Sequence, residues 1–246
     1  MLVALSGITL VSIGLISKSL KKTKTSRKQE STIEESATSD VNANSVRFPQ
    51  SIVLIGDSQT ARTLGEAYTN EFAQSSVRFF GKPGATHNDY LQDPTLKNEL
   101  KKLGCAEVIV IQLGDNGISS RKSDVLDFVN LIRSNCPNTK HIFWAGPMKA
   151  VKPTLSNSTY VNTTDPSSPR YLDTYNQTRR LWDQRLKEWL PEANVIYFSN
   201  YFAQEAQPSS NAFSDSRGGD GIHLEESSAI EQVKLLKAFI LNQLLS

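Results

Sequence analysis

The chain has 246 residues, 38% of them apolar and 21% charged, with a formal net charge of +2. That length suits one substantial core plus a tail and argues against two full domains. Setting aside six bases (Lys18, Lys21, Lys22, Lys24, Arg27, Lys28) and four acids (Glu30, Glu34, Glu35, Asp40) leaves 21 of each sign in residues 46–246. The body is therefore neutral, without the basic stripe that marks a nucleic-acid binder.

In chain order, "MLVALSGITLVSIGLIS" at 1–17 carries no charge and runs into the lysine cluster. A membrane span needs about 20 apolar residues, so this segment sits at the lower limit. It lacks the basic start and the small-residue cleavage site of a signal peptide. A short hydrophobic anchor is the expectation, with a signal-like segment or a loosely packed tail as alternatives. The positive-inside rule would hold the lysines, and the body with them, in the cytoplasm. An envelope enzyme needs the reverse, so sidedness stays open; a different start codon or packaging into a virion-like particle would each remove the conflict. Residues 18–45, basic and then polar, lack aromatics and a sustained apolar period and read as a flexible linker. A folded domain is expected over 46–246.

From there the pattern alternates. "SIVLIG" (51–56) reads as a strand and "QTARTLGEAYTNEF" as a helix with Ala61, Leu64, Ala67, Tyr68 and Phe72 on one face. "SVRFFG" is a second strand and "PTLKNELKKLG" a helix closed by Gly104. "AEVIVIQLG" is apolar without alternation, as a parallel strand buried on both faces should be. "SDVLDFVNLIRSN" is a helix with Ser123 as N-cap candidate, "KHIFWAGP" a fourth strand, "YLDTYNQTRRLWDQRLKEWL" a long helix and "NVIYFS" a fifth strand. The last helix, "EESSAIEQVKLLKAFILNQLL", places Ile230, Val233, Leu236, Ile240 and Leu244 on one side. Strands alternating with helices predict an α/β fold with a parallel sheet covered on both faces. In such sheets chemistry sits beyond the carboxyl ends of the strands.

Those ends carry "GDSQT", "GKPGATHND", "GDNG" and "GPMKA", and "RGGDGIHLEE" precedes the final helix. The ordered set "GDSQT", "GKPGAT", "LGDNG" and "DGIH" resembles the SGNH (GDSL-type) hydrolase family, from about Ile52 to the C-terminus. The resemblance implies a three-layer α/β/α, flavodoxin-like fold around a five-stranded, mostly parallel sheet. It implies Ser58 as nucleophile, Asp220 and His223 as the rest of a triad, and an oxyanion hole of Ser58, Gly84 and Asn116. Two positions depart from the family pattern: Gln59 stands where Leu is usual, and Gly117 follows Asn116 where Asp is frequent.

The residue chemistry agrees. A serine hydroxyl needs a base within hydrogen-bond reach, and among three histidines only His223 has a carboxylate three residues before it in a glycine-rich loop. Asp220 could hold its tautomer. Plainer readings stand beside these: Ser58 as a turn residue, Asp220 and His223 as a solvated pair or a helix N-terminal charge, and Asn116 as a left-handed turn residue. Asp57 is expected to hold the turn. His87 is a candidate substrate contact or an exposed loop histidine, and His141 a structural residue at a strand start.

Two cysteines and three histidines show no metal-ligand spacing, so neither metal nor cofactor is expected. Cys105 and Cys136 precede neighbouring strands and could pair in an oxidising compartment or stay as two buried thiols. The long segment "KAVKPTLSNSTYVNTTDPSSPRY", with Tyr160 as a second candidate contact, is rich in hydroxyls and amides and suits a polar ligand. The expectation is a serine esterase removing small acyl groups, acetyl first, from a cell-wall or surface glycan. A lipase or thioesterase for longer chains, and a tethered glycan-binding or particle-associated module without turnover, stay open.

Overall fold

The computed structural model describes residues 47–103, 105–150, 164–193, 195–206 and 222–245. The expected anchor and linker, Tyr160 and Asp220 lie outside the described residues. Five strands form one sheet: β1 (Ser51–Gly56), β2 (Ser76–Gly81), β3 (Val108–Gln112), β4 (His141–Ala145) and β5 (Ile196–Phe198). Their order is β2-β1-β3-β4-β5 and every pairing is parallel. Seven helices are described: α1 (Gly65–Glu71), α2 (His87–Gln92), α3 (Pro94–Leu103), α4 (Lys122–Asn135), α5 (Leu172–Trp189), α6 (Asn200–Ala206) and α7 (Glu226–Leu245). A π-helical stretch, Thr60–Leu64, leads into α1.

Alternation along the strands divides the core. Ile52, Leu54, Val108, Val110 and Phe143 face a cluster completed by Leu64, Tyr68 and Phe72 near α1 and by Ala229, Val233, Leu236 and Ile240 of α7. Val53, Ile55, Ile109, Ile111, Ile142 and Trp144 face the other side, against Val125, Phe128, Val129 and Ile132 of α4, Leu96 and Leu100 of α3 and Leu186 of α5. All five β3 residues are buried because helices cover both faces of the central strand. The five predicted strands and the long helices therefore stand, and the sheet is wholly parallel.

The structure differs from the sequence reading in local detail. α2 and α6, six and seven residues long, were not anticipated. α4 is preceded by Arg121 at the N-cap, without a side-chain cap, and Ser123 sits inside the first turn. At the end of the sheet where strands begin, Cys105 and Cys136 are joined by a disulfide with Cα atoms 4.9 Å apart. The adjacent start of β4 is tied down by Thr139, whose hydroxyl donates to the Ala106 carbonyl at 2.8 Å.

Candidate active site

The strand order sets β1 between β2 and β3: the chain moves outward from β1 to β2 and then crosses back to β3, so the direction reverses at β1 and a crevice opens at its carboxyl end. Asp57 and Ser58 follow β1 there. The Asp57 carbonyl accepts from Ala61 N–H at 3.0 Å, starting the helix, and its carboxylate accepts from Gln59 N–H at 3.0 Å. Asp57 thus acts as an N-cap. Ser58 becomes the first helical residue, with its N–H among the first-turn donors that have no intrahelical acceptor. The approach is close: a Cβ on Gly56 would collide with the Thr60 side chain, so only glycine lets the helix start directly over the strand end.

His223 arrives from the opposite end of the sequence, just before α7. Its Nε2 lies 2.9 Å from Ser58 Oγ, a hydrogen-bonding distance across 165 residues of chain. His223 is 5% exposed, so the contact is largely shielded while Ser58 remains half-buried.

The loop after β2 brings Gly84 to the same place. Ala85 N–H donates to the Lys82 carbonyl at 3.0 Å, with Pro83 and Gly84 between them and Gly84 at φ +75°. This is a type II turn, with proline at the first central position and glycine where φ must be positive. The site of a Gly84 Cβ is open space, so the backbone there is unobstructed.

Asn116 follows β3. Its Nδ2 donates to Asp57 Oδ2 at 3.0 Å and to the Ala85 carbonyl at 3.3 Å, tying the three loops together. It is not a left-handed residue: among the described residues the one non-glycine with positive φ is Cys105, and Gly114 and Gly117 carry the turn. Ser58, Gly84, Asn116 and His223 line one cleft of about 170 Å³, together with Gln59, Arg62, Pro83, Asp115, Tyr175 and Ile222.

Beneath the cleft is a charged layer that sequence reasoning missed. Asp115 and Arg179 are both buried, with Arg179 Nη2 3.6 Å from Asp115 Oδ1. Arg179 also donates to the carbonyls of Asp115 at 3.0 Å and Met148 at 3.1 Å, and Met148 N–H donates to Asp115 Oδ1 at 2.8 Å. Burial, then the nearby Asp115 charge, push the Asp57 carboxyl well above the usual carboxylate range. A signal for this layer exists in α5, whose buried face reads Asn176, Arg179, Asp183, Leu186 at helical spacing. Polar residues at those positions are ordinarily assigned to solvent.

One candidate contact is corrected. His87 is not at the cleft but fully buried, 6.3 Å from the Trp144 ring and 6.5 Å from Phe128 between centroids. α2 is the reason: Thr86 and Asp89 form a capping box, and the helix they start turns His87 inward. Ser119 N–H donates to its Nε2 at 3.4 Å, and burial pushes its pKa down to about 4. Among the described residues no cluster of metal-ligating side chains occurs, and no helix is long and apolar enough to cross a membrane.

No family model matches the chain, and none of the curated proteins matches it. Solved structures do. A Bacteroides fragilis protein described as an acylhydrolase is 16% identical, with 82% of this chain and 93% of that one covered at a TM-score of 0.55. A Streptococcus pneumoniae protein described as a platelet activating factor is 18% identical, covering 81% and 87% at 0.54. A lipase from a goat rumen metagenome is 14% identical, covering 76% and 96% at 0.52. At such identities the fold is what is shared: an α/β architecture found in proteins described as hydrolases.

Proposed function

We propose that the protein is a serine esterase of SGNH type. The observation that carries this reading is the 2.9 Å contact between Ser58 Oγ and His223 Nε2 at the carboxyl end of β1, inside the cleft. The Ser58 oxygen attacks the ester carbonyl carbon while His223 takes the hydroxyl proton. The tetrahedral oxyanion is met by the N–H groups of Ser58 and Gly84 and by the Asn116 amide. Both Asn116 amide hydrogens already have acceptors, so the oxyanion would be served by sharing one of them. Collapse expels the alcohol, which takes the proton from His223. Water then attacks the acyl-enzyme with His223 as base, releasing the carboxylic acid and restoring Ser58. Asp220 is assigned to hold the His223 ring.

The substrate class follows from the lining. Seven of the ten cleft residues are polar or charged (Ser58, Gln59, Arg62, Asp115, Asn116, Tyr175, His223), and a cleft of about 170 Å³ suits a short acyl group better than a long chain. An acetylated carbohydrate, with the sugar against the polar rim, is the preferred substrate. The similarity to proteins described as an acylhydrolase and a lipase supports ester chemistry at large. The disulfide supports an exported, oxidising location with residues 1–17 as anchor or leader.

The test gives the full chain and its Ser58→Ala variant short-acyl esters, long-acyl esters and an O-acetylated glycan. Turnover of the short esters and the glycan should fall by at least about 1,000-fold in the variant. Wild-type-like turnover in the variant would remove Ser58 as nucleophile. Preference for long chains would favour a lipase or thioesterase. A folded wild type inert on all three, and unlabelled at Ser58 by a fluorophosphonate, would favour a binding module.

A further inference from the structure

We infer that Gln59 is the positioning residue of the site, holding the backbone on both sides of His223 through one side-chain amide. This rests on the esterase reading above and gives a role to a residue that the reading counts only as cleft lining. Gln59 follows Ser58 directly and is 1% exposed. Its Nε2 donates to the Ile222 carbonyl at 2.8 Å, and its Oε1 accepts from Leu224 N–H at 3.1 Å. The residue between those two backbone groups is His223. A flipped amide would set N–H against N–H and oxygen against oxygen, so the two contacts define one orientation.

The effect is to tie the base to the nucleophile by a route separate from their own contact. Gln59 N–H is fixed by the Asp57 carboxyl at 3.0 Å, so the residue gripping the histidine loop is anchored in the turn that presents Ser58. One helical turn later Thr63 adds a third tether, its hydroxyl donating to the Leu224 carbonyl at 3.1 Å. Leucine at position 59, the residue usual in the resembling family, could make neither amide contact. It would leave the Ile222 carbonyl and the Leu224 N–H without these partners. Catalysis is steeply sensitive to such placement, a 1 Å error costing about 100-fold.

Histidine Cε1–H NMR of the full chain tests this without relying on turnover, because only His87, His141 and His223 contribute. In Gln59→Leu the His223 signal should shift and broaden while those of His87 and His141 hold. With a short ester, kcat should fall by roughly 10- to 100-fold with KM within about twofold. Gln59→Glu keeps the acceptor for Leu224 N–H and, once ionised, sets a negative charge beside His223. The acid limb of its kcat/KM profile should therefore move to higher pH. Unchanged His223 signals and kcat in Gln59→Leu would overturn the proposal. If that variant does not fold, an unmoved His223 titration in Gln59→Glu overturns it and a raised one supports it. Should Ser58→Ala retain turnover, the esterase reading fails, yet the NMR result still decides whether Gln59 holds His223.

Discussion

The two ends of the sheet are stabilised by different means. Where strands begin, the Cys105–Cys136 disulfide is joined by partly exposed pairs such as Lys140 with Glu107 at 3.0 Å. Where strands end, Asp57, Asp115 and Arg179 are almost wholly buried, and Asn116 bridges the loops above them. A covalent cross-link acts mainly on the unfolded chain and leaves the native geometry largely alone. A buried charged layer is costly to desolvate and adds little net stability. What it supplies is direction: it fixes the loops that carry Ser58 and Asn116. One end is therefore held by a cross-link that turnover should not need, the other by a layer whose disruption should be felt at the cleft, and variants at each end should separate the two.

The largest effect is expected from breaking the charged layer. Arg179→Met leaves the Asp115 carboxylate buried without its guanidinium and removes the donors to the Asp115 and Met148 carbonyls. Urea unfolding should show a loss of about 3–5 kcal/mol. A loss under 1 kcal/mol would mean that the carboxylate is adequately served by Met148 N–H alone. At the opposite end, replacing both Cys105 and Cys136 by serine opens a loop with a sequence separation of 31. The expected cost is about 3.5 kcal/mol, with kcat on a short ester unchanged. A fall in kcat there would show that the two ends are coupled.

Asn116→Ala sharpens the comparison from the rim. Turnover should drop by about 100-fold if the amide meets the oxyanion. Stability should fall by only about 1–2 kcal/mol, since Asp57 and the Ala85 carbonyl each lose one donor. A stability loss without a rate loss would make Asn116 a loop clamp.

How far the sequence could be read follows the same division. β1, β3 and β4 were legible because their apolar runs lead into glycine-containing turns, and α7 because Val233, Leu236 and Ile240 place apolar side chains on one face at helical spacing. α5 shows the same spacing with its polarity inverted: Asn176, Arg179 and Asp183 turn inward. Periodicity locates that helix, but hydropathy alone does not show which polar residues turn inward, because the partners that make burial of Arg179 tolerable lie in loops 31 and 64 residues away. Ser58, Gly84 and Asn116 were legible as strand-end residues and His223 as part of the loop before the last helix, and the structure brings them to one cleft. The function of Gln59 was not, since it depends on backbone groups more than 160 residues distant. His87 turns inward because Thr86 and Asp89 cap a short helix, and the spacing of those two residues is the signal for it in the sequence.

That buried histidine supplies the smallest effect, and the one that separates stability from catalysis by pH. His87 titrates near 6.5 when unfolded and is held down to about 4 in the fold. Between those values the unfolded chain binds a proton that the native chain does not, so stability present above pH 6.5 is lost as the pH falls toward 4. From pH 7 to pH 5 the loss is about 2 kcal/mol. In His87→Phe, which keeps an aromatic ring against Trp144 and Phe128, this part of the acid sensitivity should vanish, visible as a flatter melting temperature between pH 7 and 5. The acid limb of ester turnover should stay where it is, because the mechanism proposed above uses His223 and not His87 as the base. If the activity limb moves with His87→Phe, His87 and His223 share a proton equilibrium, and the separation between core and rim drawn from the fold does not hold.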